Sequence, residues 1–243
     1  MEMYDAASLT GRSRFWATMG LYLGLDDEAA GKVDGIKLFA DGALGARTAM
    51  LSRCYLGGEE GILIYDDSAL LEQLSLAAQA GKEVSIHAIG DRAIEQAVEA
   101  VARLDKRSSS TRIEHCQFIS PETAKRAKTE GIVLSMQPNF SMESECYRDR
   151  LPQRYLEWNN PFRMLIDQAG FVPGEDLVFG SDGMPHGALY ALQSALFPPC
   201  PGQRLSLSEF VAGYCMPDCE NGFIDLAVDY EERTITTEVT LKS

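Results

Sequence analysis

The chain has 243 residues, 45% hydrophobic and 24% charged, and its 22 basic against 36 acidic side chains leave a net charge of −14. This is ordinary globular composition with chain enough for one sizeable core, which excludes a disordered segment. The acidity argues against nucleic acid or an anionic membrane surface as partner and leaves a small molecule as the expected one. No apolar run approaches membrane-spanning length, and the start, Met1-Glu2-Met3-Tyr4-Asp5, lacks the basic-then-apolar pattern of a signal peptide, so the expected location is cytoplasmic. Six dispersed cysteines in a chain of this size read as reduced thiols; Cys215-x-x-x-Cys219 has no second pair to complete a zinc site.

In chain order, residues 6–14 read as the tail of a helix and 15–23 as a buried strand. Next comes Gly35-Ile36-Lys37-Leu38-Phe39-Ala40-Asp41-Gly42, a strand whose Ile36, Leu38 and Ala40 alternate with Lys37, Phe39 and Asp41. Residues 42–65 are glycine-rich and irregular, a length that usually marks a functional loop. Asp67-Ser68 opens a helix with Leu70, Leu71, Leu74 and Ala77-Ala78 on one stripe, stopped at Gly81. Glu83-Val84-Ser85-Ile86-His87-Ala88 is a strand ending in histidine, followed by a turn at Gly90 and a helix for which Asp91 is the expected cap.

The same grammar repeats in Thr111-Arg112-Ile113-Glu114-His115, with Ser120 as N-cap and Pro121 at the first position of the next helix. A strand over 132–137 follows Gly131. A polar and aromatic insertion over 139–160 leads to a helix over 162–168, and residues 176–182 form a buried strand ending at Asp182. Helices are expected over 187–197 and after the capping box Ser206-Leu207-Ser208-Glu209. Residues 223–230 and 233–241 alternate apolar and polar positions, the pattern of an antiparallel hairpin with one wet face.

Strands alternating with amphipathic helices predict an α/β fold with a parallel sheet, and polar residues recur where strands give way to loops, as at the catalytic mouth of a (β/α)8 TIM barrel. A doubly wound open sheet is the rival, but no Gly-x-Gly-x-x-Gly follows any strand. Counting alternation back from His115 puts Arg112 and Glu114 both on the other strand face and in structural roles. Arg92 is expected in a rim salt bridge.

The segments Gly35 through Ala49, Ile86-His87-Ala88-Ile89-Gly90-Asp91-Arg92-Ala93, Arg112-Ile113-Glu114-His115-Cys116-Gln117, Ser135-Met136-Gln137-Pro138 and Phe179-Gly180-Ser181-Asp182 resemble, in order, the barrel-strand motifs of the amidohydrolase superfamily. The branch they resemble is the family-3 metal-dependent hydrolases, which includes N-substituted formamide deformylase-like proteins. The resemblance implies a barrel around a divalent metal, usually zinc, that hydrolyses non-peptide C–N bonds of amides, formamides or cyclic amides. It implies Lys37 (as its carboxylated derivative), His87, His115 and Asp182 as metal ligands, with Asp182 also the proton acceptor. The family's first strand carries a His-x-His pair that this chain lacks. By that comparison the barrel is incomplete, with about six strands and the first two missing. Residues 1–220 then make a partial hydrolase barrel and 221–243 a hairpin remnant of the flanking β-domain. One metal position is implied for the chain as it stands, and two for the full family site.

The residues support the chemistry separately. A lysine ammonium on an inner strand face is costly, but reaction with carbon dioxide makes it an anionic oxygen ligand. Two imidazoles and one such oxygen leave an open position at a four-coordinate zinc, whose bound water is acidified next to Asp182. Asp41, Arg47, Gln137 and His186 are the candidate substrate-binding residues at the mouth. The alternative is a catalytically inactive remnant that keeps a fold and an interaction surface, with self-association through an open sheet edge.

Overall fold

A computed structural model of the protein describes residues 14–105, 110–183, 187–214 and 222–241. Its centre is a parallel sheet of β1 (Trp16–Ala17), β2 (Gly35–Phe39), β3 (Glu83–Ala88), β4 (Thr111–His115), β5 (Val133–Met136) and β6 (Leu177–Phe179). Each strand pairs with its successor in the chain, so spatial and sequence order coincide. Among the described residues neither β1 nor β6 pairs with a further strand, apart from a single bridge of Pro173 to Leu177. The sheet is the open arc of a barrel.

Crossover helices cover the outer face: α1 (Met19–Leu23), α2 (Asp27–Gly31), α3 (Asp67–Gln79), α4 (Asp91–Ala102) and α5 (Pro121–Thr129). Ile36, Leu38, Ile86, Ile113 and Leu134, on that side of the strands, share one core with Leu70, Leu74, Ile94, Val98 and Ala124 from the helices. All are at most 2% exposed, and burial of this kind stabilises by about 25 cal/mol per Å² of apolar surface. Helix α5 starts where Ser120 Oγ accepts from Thr123 N at 3.1 Å, with Pro121 first in the helix. Helices α3 and α5 stop before Gly81 and Gly131, both at φ +67°, where a side chain would be strained.

Two expectations are corrected. Only Trp16–Ala17 of 15–23 is strand; Thr18 then accepts from Leu21 N and turns the run into α1, with Met19 buried and Leu21 and Leu23 left in solvent. Asp91 does not cap α4: Gly90 holds the cap position without a side-chain bond, and Asp91 reaches Ser52 N at 2.7 Å and Tyr155 Oη at 3.2 Å. The 139–160 insertion is ordered into a 3-10 turn, Pro138–Met142, and helices α6 (Glu143–Cys146) and α7 (Gln153–Trp158).

Beyond α8 (Phe162–Asp167) and β6, α9 (Ala188–Leu196) and α10 (Leu207–Tyr214) complete the layer, the last opened by the expected box, with Glu209 N on Ser206 Oγ and Ser206 N on Glu209 Oε2. Strands β7 (Gly222–Asp229) and β8 (Thr234–Leu241) form the antiparallel hairpin. Leu226, Val228 and Ile235 pack on the main core, and Gln193 Nε2 donates to Arg233 O at 2.7 Å. No helix among the described residues is long and apolar enough to cross a membrane. The predicted helix tail over 6–14 lies outside them up to residue 13, as do Cys215, Cys219 and His186.

Candidate active site

Strand register decides which side chains face the inside of the arc. Lys37 is level with Ser85 and Arg112, and Phe39 with His87, Glu114 and Ser135. In a parallel sheet, residues in register share a face, so these seven line one surface. Together with Trp16, His115, Gln137, Gly180 and Asp182 they line an open cavity of about 490 Å³. Glu114 and Arg112 are therefore inner-face residues beside His87, and the sequence reading that set them apart from the site is corrected.

The error arises at His115. It is level with Ala88, whose side chain belongs to the outer core, so regular alternation would point its imidazole outward. Instead His115 has φ +73°, Cys116 has φ +50°, and Cys116 N donates to Glu114 O at 3.1 Å, closing a γ-turn around the histidine. This strained turn rotates the ring inward to 4.6 Å from the His87 ring centroid, edge to face. Asp182, at φ +50°, also lies at a strand end with left-handed backbone.

Each imidazole is held from behind. His87 Nε2 lies 2.8 Å from Gly42 O, an acceptor only, so it carries the proton and Nδ1 keeps its lone pair. Asp41 Oδ1 lies 3.6 Å from the same nitrogen, while its carboxylate accepts from Met50 N, Ile89 N and Gly90 N at 2.9, 3.1 and 2.8 Å. Burial pushes the Asp41 carboxyl up against the opposing pull of those amides and of His87. His115 Nδ1 faces Gln137 Oε1 at 2.8 Å, an assignment that agrees with Gln137 Nε2 donating to Ser135 O; the lone pair of His115 is therefore on Nε2. Burial, with the neighbouring His87, depresses the His115 pKa to about 4, so the ring is neutral at physiological pH.

Below the imidazoles, Lys37 Nζ donates to Ser85 Oγ at 3.3 Å and Ser85 Oγ donates to Glu114 Oε1 at 2.7 Å. Arg112 Nε sits 2.6 Å from that oxygen as a charge contact without an aligned N–H, and its guanidinium lies over the Trp16 ring at 4.8 Å. Burial lowers the Lys37 ammonium pKa, with Glu114 opposing. Burial works to raise the Glu114 carboxyl, but Arg112, Ser135, Ser85 and Lys37 together hold it below the ordinary range.

A profile of the amidohydrolase family matches residues 2–196. The chain belongs to the amidohydrolase family. It is 33% identical over 167 residues to the YtcJ protein of Bacillus subtilis (strain 168), covering 66% of this chain and 31% of that one. It is 34% identical over 209 residues to Protein LONG AFTER FAR-RED 3 of Arabidopsis thaliana, covering 79% and 35%. An uncharacterized metal-dependent hydrolase of Pyrococcus furiosus superposes with a TM-score of 0.65 at 28% identity, covering 74% of this chain and 38% of that structure. This amidohydrolase-family chain thus spans about a third of the length of its curated relatives.

Within this family member, the four sequence-predicted ligands, Lys37, His87, His115 and Asp182, all line the cavity. Of the four substrate candidates, Gln137 lines it but is committed to His115; Asp41 is only 1% exposed and serves backbone amides and His87. Arg47 is outside the lining and pairs with Glu59 in the 42–65 loop. Among the described residues no three His, Cys, Asp or Glu side chains converge as a ligand set. The donor chemistry fits a divalent metal held by one ring nitrogen each of His87 and His115, where Lys37 as an ammonium cannot join. Sequence reasoning missed Ser85, Ser135, Phe39 and Trp16 as cavity residues. Their signal was the spacing of two that Ser85 and Phe39 share with His87 and Lys37.

Proposed function

We propose that the chain is a hydrolase of non-peptide carbon–nitrogen bonds, in amides, formamides or cyclic amides, that works with a divalent metal, zinc first. The observation that carries this reading is the pair of edge-to-face imidazoles whose rear nitrogens are tied to Gly42 O and Gln137 Oε1, leaving His87 Nδ1 and His115 Nε2 as free donors. Bound rings in metal sites are oriented by such rear contacts. Lys37, as its carbamate, and Asp182 complete the ligand set in this reading. The metal supplies Lewis acidity toward water and the scissile carbonyl.

The chain's own residues do the rest. Asp182 accepts a proton from the attacking water and delivers it to the leaving nitrogen. Phe39, 42% exposed on the inner face, and Trp16 offer apolar surface to the substrate's side groups. Elemental analysis of purified protein, combined with a panel of amide, formamide and cyclic amide substrates, tests the reading. One metal per chain is expected, with metal lost in His87→Ala and in His115→Ala. Wild-type protein that retains none, and binds none when titrated with zinc, iron or manganese, overturns it and leaves a non-catalytic fold with an interaction surface.

A further inference from the structure

Strand β6 hands over to Asp182 through a segment with few hydrogen bonds of its own. The last rung of the ladder is Gly180 N on Met136 O at 3.0 Å. Beyond it Ser181 makes two bonds to described residues: its Oγ accepts from Gly187 N at 3.4 Å, and its carbonyl oxygen accepts from Asn139 Nδ2 at 3.0 Å. Asp182 and Gly183 are exposed, and Asp182 has φ +50°, a conformation few side-chain-bearing residues adopt. Asn139 approaches from the 3-10 turn that follows β5 and is 3% exposed. Its Oδ1 is buried without a partner, an unfavourable arrangement, so the bond to Ser181 O is what orients the amide.

We propose that Asn139 is a positioning residue for Asp182, acting through the Ser181 carbonyl. The peptide unit between Ser181 and Asp182 is planar, so its carbonyl cannot turn without carrying the Asp182 amide with it. Turning the unit over would swing Ser181 O away from Asn139 and change ψ of Ser181 and φ of Asp182 together. Holding that oxygen therefore holds Asp182 at positive φ, the conformation in which it lines the cavity. Asn139 is not among the lining residues and acts through the main chain alone. The inference rests on the reading of Asp182 as metal ligand and proton acceptor, and adds to it the group that sets where the carboxylate stands.

Two readouts on the full chain test it. In metal-free, ¹³C,¹⁵N-labelled protein the one-bond Cα–Hα coupling of Asp182 separates positive from negative φ by NMR. Wild type is expected at positive φ, and Asn139→Leu, with the same branched shape but no donor, is expected to move to negative φ. Zinc affinity against a competing chelator should fall about tenfold in Asn139→Leu, the scale of loss typical when a ligand's supporting partner is removed. In an Asp182→Ala background the same substitution should cost nothing further, whereas a packing role would cost as much in both. An unchanged coupling in folded Asn139→Leu, or the full tenfold loss repeated on Asp182→Ala, overturns the proposal. Wild type that binds no zinc overturns the ligand reading instead, and the coupling then decides the role of Asn139 by itself. If circular dichroism shows Asn139→Leu unfolded, Asn139→Asp, whose carboxylate accepts where the amide donates, is measured in its place.

Discussion

The tautomers at His87 and His115 are set by what lies behind each ring, and the two backings differ in kind. Gly42 O is a main-chain carbonyl at a position where a Cβ would lie 2.0 Å from Thr48 Oγ1, whereas the acceptor at His115 is the Gln137 side chain. Gln137→Met, close in size but with at most a weak acceptor, is expected to free His115 Nδ1 and mix its tautomers, visible as shifted imidazole ¹⁵N resonances in metal-free protein. Zinc affinity measured against a competing chelator should fall about 10- to 100-fold. His115 also makes the metal-free fold sensitive to pH. Its folded pKa of about 4 lies below the unfolded value of about 6.5, so the unfolded state binds the extra proton between those limits. Stability from this group is complete above pH 6.5 and is lost as pH falls toward 4, by about 3 kcal/mol in all. Urea unfolding of chelator-treated wild type and His115→Gln checks it: the wild-type advantage should shrink by about that amount from pH 7.5 to pH 4.

At the scale of elements, the 42–65 loop is irregular without being loosely attached. Asp41, just before the loop, ties Met50 N inside it to Ile89 N and Gly90 N in the turn that precedes α4, and Asp91 adds a second fastening through Ser52. A side chain at Gly90 would put its Cβ 2.1 Å from Met50 O, which shows how closely the loop lies on that turn. Asp41→Ala leaves three amides without their acceptor, and at about 1–3 kcal/mol for each buried orphan it is expected to cost at least about 3 kcal/mol. Thermal unfolding, with limited proteolysis mapped to 42–65, measures both the loss and its place. The strands and helices around this loop were legible in the sequence, since Ile36, Leu38 and Ala40 mark one strand face, Ser120-Pro121 a helix start and Gly131 a helix stop. The faces of Arg112 and Glu114 were not. Alternation counted from His115 assumes extended backbone to the strand's last residue, and the γ-turn there shifts the phase by one. The fastening by Asp41 was hidden too, because an aspartate next to glycine looks the same whether it faces a substrate or three amides.

At the largest scale, the described residues present an arc with β1 and β6 at its margins and a polar, partly aromatic concave face. Unpaired strand edges recruit other strands, and with two residues in β1 and three in β6 the edges are short. A net charge of −14 on each copy opposes the encounter of two copies, and salt screens that repulsion. Self-association through β1 is therefore expected to strengthen from low to physiological ionic strength, read by size-exclusion chromatography with light scattering. A monomer unchanged by salt and concentration would sink that expectation. The coincidence of spatial and sequence order in the sheet also bears on how the chain reaches this state. Among the described strands every partner is the one just made or the next to come, so forming these pairs requires no step that brings the two ends of the sheet together and no entropy of ring closure. Units can dock in the order of synthesis, each on a completed neighbour, with the longest searches falling at the crossovers 40–82 and 137–176. Pulse-labelled hydrogen exchange should accordingly find β3, β4 and β5, joined by the shorter crossovers, protected before β2 and β6 are sealed on either side.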